Sequence, residues 1–322
     1  MAEAQRTIPR PAPGDAPLVS IVIPCYKHAH FLGEAIESAL AQTYAHVEVL
    51  VIDDGSPDRT ADVAARYPAV RYVRQVNQGL SAARNRGLAE SRGAYVIFLD
   101  ADDRLRPEAA VIGVEELEAH RDSAFVSGMY RNIAEDGSPL PTPPFPRLAG
   151  SDQYRELLLR NHIGAPSTVM YRRAVLDIVG GFDVAESPAA DYELYLRIAR
   201  QFPVHRHPAV VSEYRRYPTS MSRNAGVMLG SVMRVLRAQR RHVKGNPAHE
   251  DACKRALRHY KSHYGERLIG HVRGHARARR WSDAMRGAVV LLRYHPRAFF
   301  IHVFRKAYCV LTRRAGGDPI TT

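Results

Sequence analysis

The run 94–103, AYVIFLDADD, constrains this chain more than any other ten residues. Tyr95, Val96, Ile97, Phe98 and Leu99 are apolar or β-favouring with no polar alternation, the pattern of a strand buried on both faces of a parallel sheet. The strand then runs straight into Asp100, Ala101, Asp102 and Asp103. Three carboxylates at the end of a buried strand are unfavourable unless a cation sits among them. In open α/β sheets that carboxyl edge is where ligands bind. Hard oxygen donors suit Mg²⁺ or Mn²⁺ holding a phosphate group. Taken alone, the same residues also read as a solvated acidic turn.

The flanking sequence repeats the pattern. Residues 18–23 (LVSIVI) form a β-branched run stopped by Pro24. Phe31, Leu32, Ala35, Ile36, Ala39 and Leu40 fall at helical spacing over 31–42. Residues 47–52 (VEVLVI) read as a second strand, ending in Asp53, Asp54, Gly55 and Ser56. Ser56 or Asp58 is placed to cap a helix near 58–66. A strand over 70–74 and a helix over 79–91 complete a βαβαβαβ alternation, which predicts a parallel sheet with helices on both faces. Further helices are expected over 107–120, 151–160, 172–179 and 190–201, and further strands near 124–130, 167–171 and 209–214. The stretch 138–147 holds five prolines and reads as a loop.

From about residue 226 the pattern becomes helix only. Segments beginning at 226, 250–272, 281–293 and 296–311 each carry an apolar stripe interrupted by basic residues. Charge follows the same division: residues 226–322 hold 21 Lys or Arg against 5 Asp or Glu, whereas 1–225 hold 25 against 28. A basic amphipathic tail suits an anionic membrane interface; the alternative is that its apolar stripes pack on protein while the arginines face water. Cys25, Cys253 and Cys309 show neither zinc spacing nor a disulfide framework, which fits a reducing cytoplasm. Residues 1–17 lack the apolar core of a signal peptide and read as a flexible lead. No run of about 18 apolar residues is present to span a membrane. We therefore divide the chain into the lead 1–17, an α/β domain 18–222 and a basic helical region 223–322.

Strand ends gather on one edge of a parallel sheet, so Pro24-Cys25-Tyr26, Asp53-Asp54-Gly55-Ser56 and Asp100–Asp103 should converge there. Together these blocks resemble the inverting glycosyltransferases of family 2, which have the GT-A fold. The resemblance begins with VSIVIPCYKHAHFLGEAIESALAQTYAHVEVLVIDDGSPDRT and continues through NQGLSAARNRGLAESRGAYVIFLDADD, which ends in their DxD motif. It extends through STVMYRRAVLDIVGGFD, ADYELYLRIAR and YRRYPTSMS, about 18–222. It implies a sugar transferred from a nucleotide diphosphate, most often with uracil as the base, to an acceptor hydroxyl. It also implies that Pro24 and Tyr26 line the base site, that Asp54 accepts hydrogen bonds from the base, and that Asp53 shapes the turn. Arg84 would sit near the base or phosphates, Asp100 would reach the ribose or a metal-bound water, and Asp102 would coordinate Mn²⁺ or Mg²⁺ on the diphosphate; Asp103 has no clear role. Asp191 matches the family's general base, at the start of the helix after Gly180-Gly181-Phe182-Asp183; without the resemblance it reads as a helix N-terminal aspartate favoured by the dipole.

Two positions depart from the family pattern: Ala190 stands where a Glu usually precedes the base, and Tyr217 stands where a His is common. His205 and His207 are expected to be solvated edge residues. The resulting expectation is a cytoplasmic or membrane-peripheral glycosyltransferase of surface polysaccharide or glycolipid assembly, with a glycan or lipid-linked acceptor. The alternative is a non-catalytic nucleotide-sugar-binding partner or regulator, motivated by Ala190 and Tyr217. Nucleic acid is not an expected partner, because no zinc finger, aromatic RNP-type strand or Lys-rich arm is visible.

Overall fold

The computed structural model describes residues 16–142, 152–186 and 188–294, with Ile8, Pro144, Gly150 and Pro296. Most of the lead 1–17, four residues of the proline-rich stretch 138–147 and segment 296–311 beyond Pro296 lie outside the described residues. The chain divides into two compact units, Met1–Ser220 and Met221–Thr322.

The first unit opens with β1 (Val19–Cys25), α1 (Ala29–Leu40), β2 (Val47–Asp53), α2 (Thr60–Ala64), β3 (Val70–Arg74), α3 (Leu80–Glu90) and β4 (Tyr95–Phe98). It continues with β5 (Arg104–Leu105), α4 (Ala109–Ala119), β6 (Phe125–Ile133) and α5 (Gln153–Leu159). It closes with β7 (Val169–Arg172), α6 (Arg173–Val179), α7 (Ala190–Ala199) and β8 (His205–Arg215). The strands form one sheet in the order β3-β2-β1-β4-β7-β6-β8-β5. β3, β2, β1 and β4 run parallel, each joined to the next by a helix, which is why every residue of β1 and β4 is buried.

The second half of the sheet departs from uniform parallel alternation. β7 runs antiparallel to both β4 and β6, while β8 is parallel to β6. The two-residue β5 adds an antiparallel edge beside β8. β8 also starts four residues earlier than its β-branched core suggests. The ladder with β6 slips between Ser127 and Tyr130, opposite the segment holding Pro208, whose missing N–H cannot serve a regular ladder. The architecture is that of a GT-A fold: a mostly parallel sheet flanked by helices, followed by a helical region.

Close packing sets where the site residues sit. α1 buries Phe31, Leu32, Ala35, Ile36 and Ala39, one face at helical period. α3 lies so near β1 that a Cβ on Gly87 would come within 2.1 Å of Val22 Cγ1. That approach delivers Arg84, one turn earlier on α3, to the carboxyl edge of the sheet.

Among the described residues the second unit holds α8 (Ala225–Val243), α9 (Pro247–Arg277) and α10 (Trp281–Tyr294), which pack on one another. Asn224 caps α8 and Asn246 caps α9, each accepting backbone N–H groups of the first turn. No helix among the described residues is long and apolar enough to cross a membrane.

Candidate active site

Three strand ends do meet at the carboxyl edge. The Asp54 N–H donates to the Cys25 carbonyl at 2.9 Å, stitching the turn after β2 to the end of β1. Pro24 is buried within β1, and Tyr26 just beyond it is 40% exposed, with the Lys27 ammonium 5.0 Å from its ring centroid. Asp53 is buried; one oxygen accepts the Ser56 N–H at 2.7 Å and the other accepts the Tyr72 hydroxyl at 2.5 Å. Asp54 is equally buried. Its Oδ1 accepts from the Gln75 amide at 2.7 Å and the Gln78 N–H at 2.9 Å, and its Oδ2 accepts the Gly79 N–H at 2.8 Å. The aspartate pair thus holds its own turn and the loop into α3. Gly55 has φ +72°, and a Cβ there would sit 2.9 Å from the Asn77 nitrogen, so the turn needs glycine.

The turn after β4 is built differently. The Arg84 guanidinium is 2% exposed, donates to Asp100 Oδ1 at 2.6 Å and lies 5.1 Å from the Phe182 ring centroid. Its direct partner is thus Asp100, one of the residues expected at the nucleotide. Burial works against the Arg84 charge, but the carboxylates of Asp100 and Asp191 outweigh it and raise the pKa. Asp102 Oδ2 accepts the Tyr217 hydroxyl at 2.7 Å, and that hydroxyl is 3.4 Å from His28 Nε2. Burial and then the Asp100 charge push Asp102 upward, with the Tyr217 hydrogen bond opposing. Asp103 is fully buried and is pushed well above the carboxylate range by burial and by its two neighbouring aspartates. Its Oδ1 accepts the Arg215 N–H at 2.9 Å, so its visible work is inside the fold.

Arg215 is the residue that sequence reading missed most completely. Its buried guanidinium donates to the Asp102 carbonyl at 2.7 Å, the Glu135 carbonyl at 2.6 Å and Glu34 at 2.6 Å. It also lies 4.6 Å from the Phe31 ring centroid. These links bring the acidic turn, α1 and the end of β8 together. Nothing local in the sequence marks Arg215, because its partners lie 80 to 181 residues away.

Asp191 stands in the first turn of α7, where the helix dipole favours a carboxylate. Burial nonetheless pushes its pKa up, against the pull of Arg84. Ala190 beside it is buried. The turn before α7 is clamped from two sides. Arg197 donates to the carbonyls of Val179 (2.6 Å), Gly180 (2.9 Å) and Gly181 (2.7 Å) and pairs with Glu193 at 2.7 Å. Asn85 donates to the Phe182 carbonyl at 2.8 Å and accepts its N–H at 2.7 Å. Adjacent residues of α3 therefore serve different walls: Arg84 holds the acidic turn, and Asn85 holds the turn leading to Asp191.

The donor set of the acidic turn fits a divalent cation. Its carboxylates are hard ligands, and Asp102 and Asp103, raised first by burial and then by the neighbouring aspartates, are acidic groups whose charge a bound cation would stabilise. His205 and His207 do not join this edge. His207 is buried and His205 is partly buried, stacked on His120 with centroids 3.4 Å apart, which corrects the expectation of solvated edge residues.

Comparison with known proteins adds an independent line. Over 191 residues the chain is 31% identical to a chondroitin synthase of Escherichia coli, covering 58% of this chain and 27% of that protein. It is 34% identical over 212 residues to an uncharacterized glycosyltransferase of Rickettsia felis, covering 62% of this chain and 34% of that one. The chain thus spans about a third or less of the length of these relatives. Among solved structures, the mannosyltransferase PcManGT from Pyrobaculum calidifontis, in complex with GDP-Man and Mn²⁺, superposes with a TM-score of 0.58 over 94% of this chain and 83% of that one, at 16% identity. S. aureus TarS 1-349 in complex with UDP-GlcNAc gives 0.56 over 86% of this chain and 91% of that one, also at 16% identity. These likenesses carry the fold. The glycosyl transferase family 2 profile matches residues 20–180, half of the chain, and takes in β1 through Gly180 with both acidic turns; the chain belongs to glycosyl transferase family 2.

Proposed function

We propose that this glycosyltransferase moves a hexosyl or N-acetylhexosaminyl group from a nucleotide diphosphate donor to an acceptor hydroxyl with inversion at the anomeric carbon. The observation that carries the reading is the Arg84 bridge. One buried guanidinium pairs with Asp100 of the acidic turn and is within charge reach of Asp191, so a metal-type site and a base of raised pKa share one sheet edge.

In this reading Tyr26 stacks on the base over Pro24, and Asp54, steadied by Asp53, accepts from the base edge. Asp100 faces the ribose, and Asp102 holds the cation. Mn²⁺ or Mg²⁺ bound there supplies neutralisation of the diphosphate as it leaves. Asp191 accepts the acceptor hydroxyl's proton as that oxygen bonds to the anomeric carbon, and the electron pair of the broken C–O bond departs with the diphosphate. A base of raised pKa is the stronger base, which suits removal of a weakly acidic hydroxyl proton.

The UDP-linked donor is supported by the chondroitin synthase relative and the UDP-GlcNAc held by TarS, although PcManGT holds GDP-Man. The test is release of nucleoside diphosphate from a donor panel, with Mn²⁺, Mg²⁺ or chelator and a crude lipid extract as acceptor source. Metal-dependent release from one donor, lost in Asp191→Asn and Asp102→Ala, is the expected result. Binding without release under every condition points instead to a nucleotide-sugar-binding partner, a reading that Ala190 favours.

The setting we propose is the cytoplasmic face of a membrane, in surface polysaccharide or glycolipid assembly. Its support is α10, where Trp281, Met285, Val289 and Leu292 are 45–67% exposed at spacings of four, four and three residues, one apolar face on a basic region. Salt-sensitive sedimentation with anionic vesicles is expected; no sedimentation at low salt would remove the membrane from the reading.

A further inference from the structure

The opposite edge of the same sheet holds a cluster with no part in the chemistry above. α4 leads away from the acidic turn, so its last turn reaches the amino edge, where β6 and β8 begin side by side with Val126 opposite His205. There Glu116, in the last turn of α4, and His120, its C-cap, meet His205 at the start of β8. One potential ligand atom from each lies within 4.8 Å of the other two. Glu116 Oε2 is 3.4 Å from His205 Nε2 and 3.4 Å from His120 Nδ1. Ligands on a tetrahedral ion with bonds of about 2.1 Å stand about 3.4 Å apart.

We propose that Glu116, His120 and His205 form a second metal site, for a borderline divalent transition ion of the zinc type, with water in the fourth position. Two imidazoles and one carboxylate are the ligand chemistry of such ions and not of Mg²⁺. His120 and His205 are stacked at an interplanar angle of 14°, and ligation requires the rings to open from that stack toward one centre. All three side chains are partly exposed, 29–38%, so an ion can enter and the rings can turn. Behind them His207, on the same face of β8, is buried with Nδ1 unpartnered. Bound metal would clasp the end of α4 to the start of β8.

The test is titration of the full, untagged chain with Co²⁺, followed by its visible d–d bands, beside the Zn²⁺-induced shift in Tm. The expected result is one tetrahedral Co²⁺ and a Zn²⁺-dependent rise in Tm. Both should be kept in Asp102→Asn, lost in His205→Ala, and weakened by about 10–100-fold in Glu116→Gln. Unchanged far-UV circular dichroism establishes that the variants fold, and the more conservative His120→Gln serves where His205→Ala does not. Absence of tetrahedral bands in the wild-type chain, or equal binding by the folded His variants, overturns the site. Loss in Asp102→Asn alone overturns it too, since the ion would then belong to the other edge. Neither result bears on glycosyl transfer.

Discussion

The two acidic turns at the carboxyl edge are similar in composition and are satisfied in different ways. Asp53 and Asp54 are buried, and their oxygens are met by the chain's own N–H and O–H donors. Asp100, Asp102 and Asp103 receive a side-chain cation at Asp100, a phenol at Asp102 and, at Asp103, a backbone N–H and the Ser167 hydroxyl at 3.5 Å, and burial still drives the last two upward. A carboxylate that takes most of its hydrogen bonds from within, as Asp54 does with one Oδ2 lone pair left for a base, is a strut. One held at raised pKa in a partly open turn is a socket. Their difference separates the part of the edge that must be built before a ligand arrives from the part completed by the ligand.

The predictions set the two turns against each other and against Asp191 beside them. The largest effect expected is on chemistry: Asp191→Asn lowers kcat by roughly 10²–10⁴-fold with donor affinity retained, read by diphosphate release and donor titration. A comparable fall in donor affinity would move Asp191 out of the role of base. Next comes Asp54→Ala, which strips three donors of their acceptor and should cost about 3 kcal/mol or more of stability by denaturant unfolding. Asp102→Asn, in contrast, should leave metal-free stability unchanged or raise it by about 1 kcal/mol, because it removes a like charge from a buried cluster. Equal losses in the two variants would erase the distinction between strut and socket.

A pH experiment sharpens the contrast. Cation binding needs Asp102 ionised, and its pKa is raised, so the Tm gain from Mn²⁺ should shrink as pH falls through a value above that of an ordinary aspartate. The acid limb of kcat/KM should be displaced upward in the same sense, since Asp191 is also raised and must be ionised to act. The smallest effect expected is that of Tyr217→Phe. It removes the phenol that steadies ionised Asp102, so the pH at which Mn²⁺ protection disappears should rise modestly.

Much of this edge was legible because its signals are local. Buried strands announce themselves as unbroken apolar runs, β1 stopping at Pro24-Cys25 and β2 and β4 within two residues of an Asp, so these strands and their turns could be placed from the chain alone. What was hidden depends on distant pairing. The antiparallel β7 has the same apolar look as a parallel strand, and two residues of β5 carry no period at all. Arg215 and Asn85 became interpretable only once partners about 80–180 and 97 residues away were in place. His207 was read as solvated because Pro208 beside it suggested an edge, whereas α4 covers that face.

The sheet's outer strands carry a consequence of their own. On one side it stops at β5, two residues long, and on the other at β3, where Arg71 and Arg74 are exposed. A stub and a charged border give an extended chain little to zip onto. A sheet of eight strands can thus stand in a crowded solution without recruiting a ninth from its neighbours, which leaves its carboxyl edge free for small molecules.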